Sequence, residues 1–104
     1  MKKYKIELTG VAHEDLEDIV IYIAKELKEP TIAQKLHTKI VTEIKKLRVM
    51  PERHEMAIDT HLKSLDVRKF YVDNYIVPYT ILYDTNTVQI LRVLYARRDW
   101  KNLL

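Results

Sequence analysis

Apolar and polar residues alternate one by one from Tyr4 to Leu8, with Tyr4, Ile6 and Leu8 set against Lys5 and Glu7. A period of two marks a strand with one buried face, so a first strand is predicted there. After Thr9-Gly10 the period changes. Ala12, Leu16, Ile19, Val20, Ile23 and Leu27 recur at helical spacing and form one apolar stripe. Glu14, Asp15, Glu17 and Asp18 crowd the early turns and Lys25 and Lys28 the late ones, which complements the helix dipole at both poles. Pro30 suits the first position of a second helix, where its missing N–H costs nothing. Ala33, Leu36, Ile40, Ile44 and Leu47 then follow at steps of three and four, and the pattern runs to about Met50, where Pro51 stops it. So short a connection predicts an antiparallel helical hairpin that lays its joint apolar side on a sheet.

Pro51 to Leu65 is polar and aperiodic and reads as a loop with at most one irregular turn. Three strand signals follow, Val67 to Val72, Tyr75 to Tyr83 and Val88 to Tyr95, each rich in Val, Ile or Tyr. Asp73-Asn74 and Asp84-Thr85-Asn86 separate them with residues that tolerate tight turns, which predicts an antiparallel meander. Pro78 cannot donate a ladder hydrogen bond, so either a bulge forms there or its nitrogen faces away from a neighbour. In the tail from Arg97 to Leu104, Trp100, Leu103 and Leu104 stand at helical offsets and predict a short closing turn. The order is β-α-α-β-β-β. It is an α+β fold in which an antiparallel twisted sheet is covered on one face by an N-terminal helical hairpin.

The chain has 104 residues, enough for one core, and reads as a single domain over residues 1–104. Apolar residues make up 47% and charged residues 32%, a mixture that buries a core and keeps a solvated surface. A single glycine excludes a Gly-rich phosphate loop. The absence of cysteine excludes disulfides, thiolate zinc sites and a Cys nucleophile, and fits a reducing cytoplasm. His13, His37, His54 and His61 show no zinc-helix spacing, so neither metal nor cofactor is expected. The apolar run after the basic start is broken at Glu7 and no segment reaches membrane-spanning length, so the expected location is cytoplasmic, away from the membrane. Net charge is only +3, but it is unevenly spread. Pro30 to Val49 carries five Lys or Arg against Glu43 alone, whereas His13 to Asp18 holds four acids and no Lys or Arg.

The run Asp66-Val67-Arg68-Lys69-Phe70-Tyr71-Val72-Asp73-Asn74-Tyr75-Ile76-Val77-Pro78-Tyr79 and the ending Arg92-Val93-Leu94-Tyr95-Ala96-Arg97-Arg98-Asp99-Trp100, with Ala12, Asp15-Leu16, Ile19 and Tyr22-Ile23, resemble the RelE/ParE toxin superfamily. The likeness spans nearly the whole chain. It implies the toxin of a bacterial type II toxin–antitoxin pair, a growth inhibitor held silent by a cognate antitoxin in a hetero-oligomer. It also implies one of two targets: messenger RNA cut at the ribosome, or DNA gyrase poisoned without catalysis. A third possibility is an interaction module that has lost toxicity.

Metal-free cleavage of RNA through its 2′-OH needs a base, an acid and positive charge beside the phosphorane. Arg68 shares a strand face with Phe70 and Val72, where an arginine has either a functional reason or a structural partner such as Asp66. By the resemblance it matches the superfamily's strand-two Arg, which contacts the scissile phosphate in RNA-cleaving members. Tyr95 ends the last strand beside Arg97, near where those members carry His or Tyr. Arg68, Tyr95 and Arg97 are therefore the candidate catalytic residues. Arg92, Arg98, Lys63 and Arg53 are candidate substrate-binding residues, with ordinary surface charge, or a stem lying along the sheet for Arg92, as the plainer alternative. Arg68 and the cluster near Arg97 are expected to converge on one cationic pocket. No Glu and His pair stands at positions matching the RNA-cleaving members, which favours the gyrase reading.

Overall fold

A computed structural model describes residues 2–104. Strand β1 spans Lys5–Leu8, helix α1 Gly10–Ile21 and helix α2 Pro30–Lys45; after a short helix α3, Thr60–Ser64, come β2 Arg68–Val72, β3 Tyr75–Leu82, β4 Thr87–Ile90 and β5 Leu94–Tyr95. The α+β class and the helical hairpin are as the sequence predicts. Thr9 caps α1, its Oγ1 accepting the Ala12 amide at 3.1 Å. The helix then widens into a π turn over Tyr22–Glu26 and ends at Lys28, which adopts φ 55°. The extra residue in that turn rotates the stripe, so Ile23 is buried while Leu27, expected beside it, is exposed. Helix α2 begins with Pro30 at its first turn and buries Ala33, Leu36, Ile40 and Ile44. Its last predicted turn tightens to a 3-10 helix at Lys46–Arg48, which buries Leu47.

The sheet order is β1-β4-β3-β2, with β5 also paired to β3. The meander is antiparallel, but β1 runs parallel to β4, from Lys5 opposite Thr87 to Leu8 opposite Ile90. The expected all-antiparallel sheet is thus corrected at its first strand. A long connection leaves the direction of a pairing open, and no local turn chemistry records it.

The predicted strand from Val88 to Tyr95 is broken in the middle. Between Ile90, opposite Tyr79, and Leu94, opposite Ile76, three residues face the two residues Val77 and Pro78 of β3. This is a β-bulge, and Pro78 accounts for it. The Leu91 amide still donates to the Pro78 carbonyl at 2.9 Å, but proline cannot return the bond. The Leu91 carbonyl accepts instead from Thr9 Oγ1 at 2.9 Å, so the residue that caps α1 also supplies the donor that the proline lacks.

Side chains alternate across the sheet, and both faces are covered. The main core lies between helices and sheet and holds Leu16, Ile40, Val77, Tyr79 and Val88 among others. A second, smaller core lies on the opposite face, where Leu62 of α3, Val67, Ile76, Leu94 and Trp100 meet. The helical hairpin covers one face, as the sequence predicts, and α3 with the closing turn covers the other. The stretch read as a loop forms α3, capped by Asp59, whose carboxylate accepts the His61 and Leu62 amides. No helix among the described residues is long and apolar enough to cross a membrane.

Candidate functional site

Arg68 opens β2 directly opposite Tyr79, on the helix-facing side with Phe70 and Val72. The loop after α2 folds over that corner. Segment 55–57 runs along the outer edge of β2, with Ala57 N donating to Val67 O at 2.8 Å and Lys69 N to Glu55 O at 3.2 Å. Tyr79 is fully buried, and its hydroxyl donates to the Pro51 carbonyl at 2.6 Å. His54 stacks on Phe70 with ring centroids 4.7 Å apart and meets Tyr79 edge-on. Aromatic packing thus fixes the loop, and the loop presents two carbonyls to Arg68, whose guanidinium donates to His54 O at 2.7 Å and to Glu52 O at 3.3 Å.

Those acceptors are neutral. Among the described residues no carboxylate stands within ion-pair distance of Arg68, Asp66 included, so its charge is oriented without being cancelled. Arg53 lies in the same loop, tied to Val49 O at 2.6 Å and Met50 O at 3.2 Å, with its side chain exposed. Burial, and then the Arg53 charge, push the His54 imidazole below its ordinary pKa, so it stands neutral at pH 7. Tyr83, just past the end of β3, donates to Glu52 Oε2 at 3.2 Å; burial and that carboxylate raise its pKa. One corner of the sheet therefore gathers two guanidinium groups, a neutral imidazole, a carboxylate and a phenol. Such a set can bind an anion and move a proton. Sequence reading named Arg53 and Arg68 but missed His54, Glu52 and Tyr83. The available signal was Pro51 followed by a His, together with tyrosines at 75, 79 and 83 on one face.

The other candidates lie elsewhere. Tyr95 pairs with Tyr75, four residues along β3 from the partner of Arg68, which is about 13 Å at strand rise and on the opposite flank of β3. Arg97 and Arg98 lie beyond Tyr95 and are exposed. The expected convergence of Arg68 with the Arg97 cluster is thus not formed, because the turn after β5 leaves the sheet at the end remote from Arg68. Arg92 sits in the bulge and is held by Asp15, Nε to Oδ2 at 2.7 Å and a terminal nitrogen to Oδ1 at 3.0 Å, while its other terminal nitrogen donates to Leu103 O at 2.9 Å. The Asp15 carboxylate also accepts the Val93 amide that the bulge lifts off the ladder, at 3.0 Å. This bond set raises the Arg92 pKa and commits its guanidinium to the fold. Lys63 is exposed on α3, which packs against the other face of the sheet through Leu62. Among the described residues no three His, Asp or Glu side chains group as metal ligands.

The sequence matches the family model described as the ParE toxin of the type II toxin–antitoxin system, parDE, over residues 6–100. No curated protein matches it. Among solved structures, a chain of the chromosomal ParDE toxin–antitoxin system from P. aeruginosa superposes with TM-score 0.74 at 20% identity, over 93% of this chain and 100% of that one. A chain of the toxin–antitoxin complex RelBE2 from Mycobacterium tuberculosis superposes with TM-score 0.62 at 24% identity, over 91% of this chain and 93% of that one. At such identities the superpositions speak for the fold, and the family model speaks for kinship. The match takes in both core layers, the Pro78 bulge and the Arg68 corner, and the chain belongs to the ParE toxin family of type II toxin–antitoxin systems.

Proposed function

We propose that this chain inhibits DNA gyrase by binding, without a bond-making step of its own, and that a cognate antitoxin holds it silent in a hetero-oligomer. The observation that supports the reading is the separation of Arg68 from Tyr95 and Arg97. Cleavage by those three would require them beside one phosphate, and Tyr95 stands about 13 Å from the level of Arg68 along the strand direction, with Arg97 beyond it in sequence. What remains is an oriented cationic corner around Arg68 and Arg53, suited to electrostatic docking. With purified toxin in excess, gyrase should lose supercoiling activity or accumulate cleaved DNA, and Arg68→Ala should weaken the effect at least about tenfold, as loss of a charge-assisted contact implies. Unchanged supercoiling with no trapped cleavage at any toxin concentration sinks the proposal.

A second reading, a ribosome-dependent mRNA endonuclease, is favoured by one observation: Arg68 shares its corner with a neutral His54, Glu52 and Tyr83. A neutral imidazole is a competent base and the guanidinium a competent partner for a phosphorane. Intact mRNA after translation in a cell-free system with toxin present eliminates this reading. Cleavage that His54→Gln abolishes would favour it over the first.

A further inference from the structure

Positive charge gathers where the start of the chain meets the end of α2. Residues 2–5 and 45–53 hold seven Lys or Arg against the single acid Glu52, so although the whole chain carries only +3, the rest of it is net acidic. The backbone joins the two stretches, with the Tyr4 amide donating to the Arg48 carbonyl at 2.9 Å. Arg53 then folds back on Val49 O and Met50 O, and the carbonyls of Glu52 and His54 hold Arg68 at the far end. Lys2, Lys3, Lys45 and Arg48 stand exposed, and of all these cations only Lys46 forms an ion pair among the described residues, with Glu43. The band runs from the start of β1 to the start of β2. Those points lie three strand spacings apart across the sheet, about 14 Å, and three residues apart along it, about 10 Å, which makes about 17 Å in all.

We infer that this band binds the phosphate backbone of duplex DNA without reading its sequence. A span of about 17 Å is half a turn of B-form duplex, whose turn measures about 34 Å. Cations held side by side over that length can neutralise about four phosphates and release their counterions, and such contacts position a protein while carrying no base information. The surface suits a duplex better than a single strand, whose bases need rings to stack on. Tyr4 is buried, with the Lys2 ammonium 5.8 Å from its ring centre, and Tyr83, the exposed ring on the border, is tied to Glu52 through its hydroxyl. The inference rests on the gyrase reading only for the source of the duplex, the DNA that gyrase holds. On that reading the toxin grips the DNA as well as the enzyme.

The test titrates the full chain into a fluorescently labelled duplex of about 20 base pairs and follows anisotropy from about 50 to 200 mM salt. Binding should weaken with salt at a log–log slope of about −4, as four neutralised phosphates imply, and a duplex of different sequence should bind within about twofold. Lys45→Glu with Arg48→Glu should weaken binding at least about tenfold and make the slope shallower by about 2. Lys63→Glu with Lys101→Glu makes the same change in net charge on the face that α3 and the closing turn cover, and should stay within about twofold of the parent chain. Circular dichroism melting of both double variants separates a lost contact from a lost fold. No binding at low salt, equal loss in the two double variants, tighter binding to single-stranded RNA of the same length, or preference for vesicles rich in phosphatidylserine overturns the inference. No gyrase is present in the titration, so failure here is distinguishable from failure of the gyrase proposal.

Discussion

Arg68 and Arg92 stand at nearly the same level on opposite flanks of β3, the first opposite Tyr79 and the second in the bulge opposite Val77 and Pro78, and their surroundings treat the same guanidinium differently. Arg92 meets a carboxylate: both side chains of its pair with Asp15 are largely withdrawn from water, at 18% and 13% exposure, and the pair also holds a bulge amide and the C-terminal turn. Arg68 meets only backbone carbonyls, which orient it and leave its field unopposed. An arginine on a half-buried strand face is therefore not by itself a functional signal. What distinguishes the two is whether the acceptor carries charge. The cancelled one joins distant parts of the fold, and the uncancelled one is held by the carbonyls of a loop that aromatic packing keeps in place.

The largest test of this contrast removes the carboxylate. Asp15→Ala leaves the Arg92 cation withdrawn from water with no counter-charge and strips the Val93 amide of its acceptor. It should lower the free energy of unfolding by about 3 kcal/mol. Arg92→Met keeps volume and removes the stranded charge, so it should cost roughly half as much. Urea denaturation measures both. Costs under about 1 kcal/mol for Asp15→Ala, or a reversed order of the two variants, would mean that the pair does not hold the bulge.

At the Arg68 corner the comparable anchor is neutral, and the expected cost is smaller. Tyr79→Phe removes the buried hydroxyl that donates to Pro51 O, and should cost about 1–2 kcal/mol. Burial raises the Tyr79 pKa from 10.0 to about 12. Its contribution is therefore fully present below pH 10.0, where the unfolded chain still holds the proton, and is lost as pH rises toward 12. Stability followed by urea through that window should fall less steeply in Tyr79→Phe than in the parent chain. Parallel slopes would show that Tyr79 ionises as freely folded as unfolded.

These two anchors also mark where the sequence was readable and where it was not. The stripes Ala12–Leu16–Ile23 and Ala33–Leu36–Ile40–Ile44 disclose α1 and α2 because an amphipathic helix records its buried face in its own spacing. Asp73-Asn74 discloses the β2–β3 hairpin for the same local reason. Pro78 flagged a bulge. Its consequence, an Asp15 carboxylate reaching Val93 from 78 positions away, is a tertiary fact that no window of sequence contains. The parallel β1–β4 pairing and the second core under α3 escaped on the same ground, since each depends on which non-consecutive segments meet. Of the candidate site, Arg53 and Arg68 were visible as isolated charges. The separation of Arg68 from Arg97 was not, because it depends on which end of the sheet the last turn leaves by.

The smallest effect bears most closely on the corner's chemistry. His54 faces Arg53, whose charge lowers its pKa after burial has done so, and Glu43, whose charge works weakly the other way; Arg68 is bound to its carbonyl. In the unfolded chain His54 takes its proton near pH 6.5, while in the folded chain protonation is held off to lower pH. Just below pH 6.5 the unfolded state thus binds more protons, and stability falls as pH falls; above 6.5 the contribution is complete. His54→Gln should flatten this acid slope, and the imidazole resonance followed by NMR should titrate below 6.5. A midpoint at or above that value would show His54 exposed and the loop open. The same titration separates the two proposed activities. Inhibition by docking should persist, or strengthen with added positive charge, as His54 protonates, whereas cleavage that uses His54 as a base must decline with the neutral imidazole.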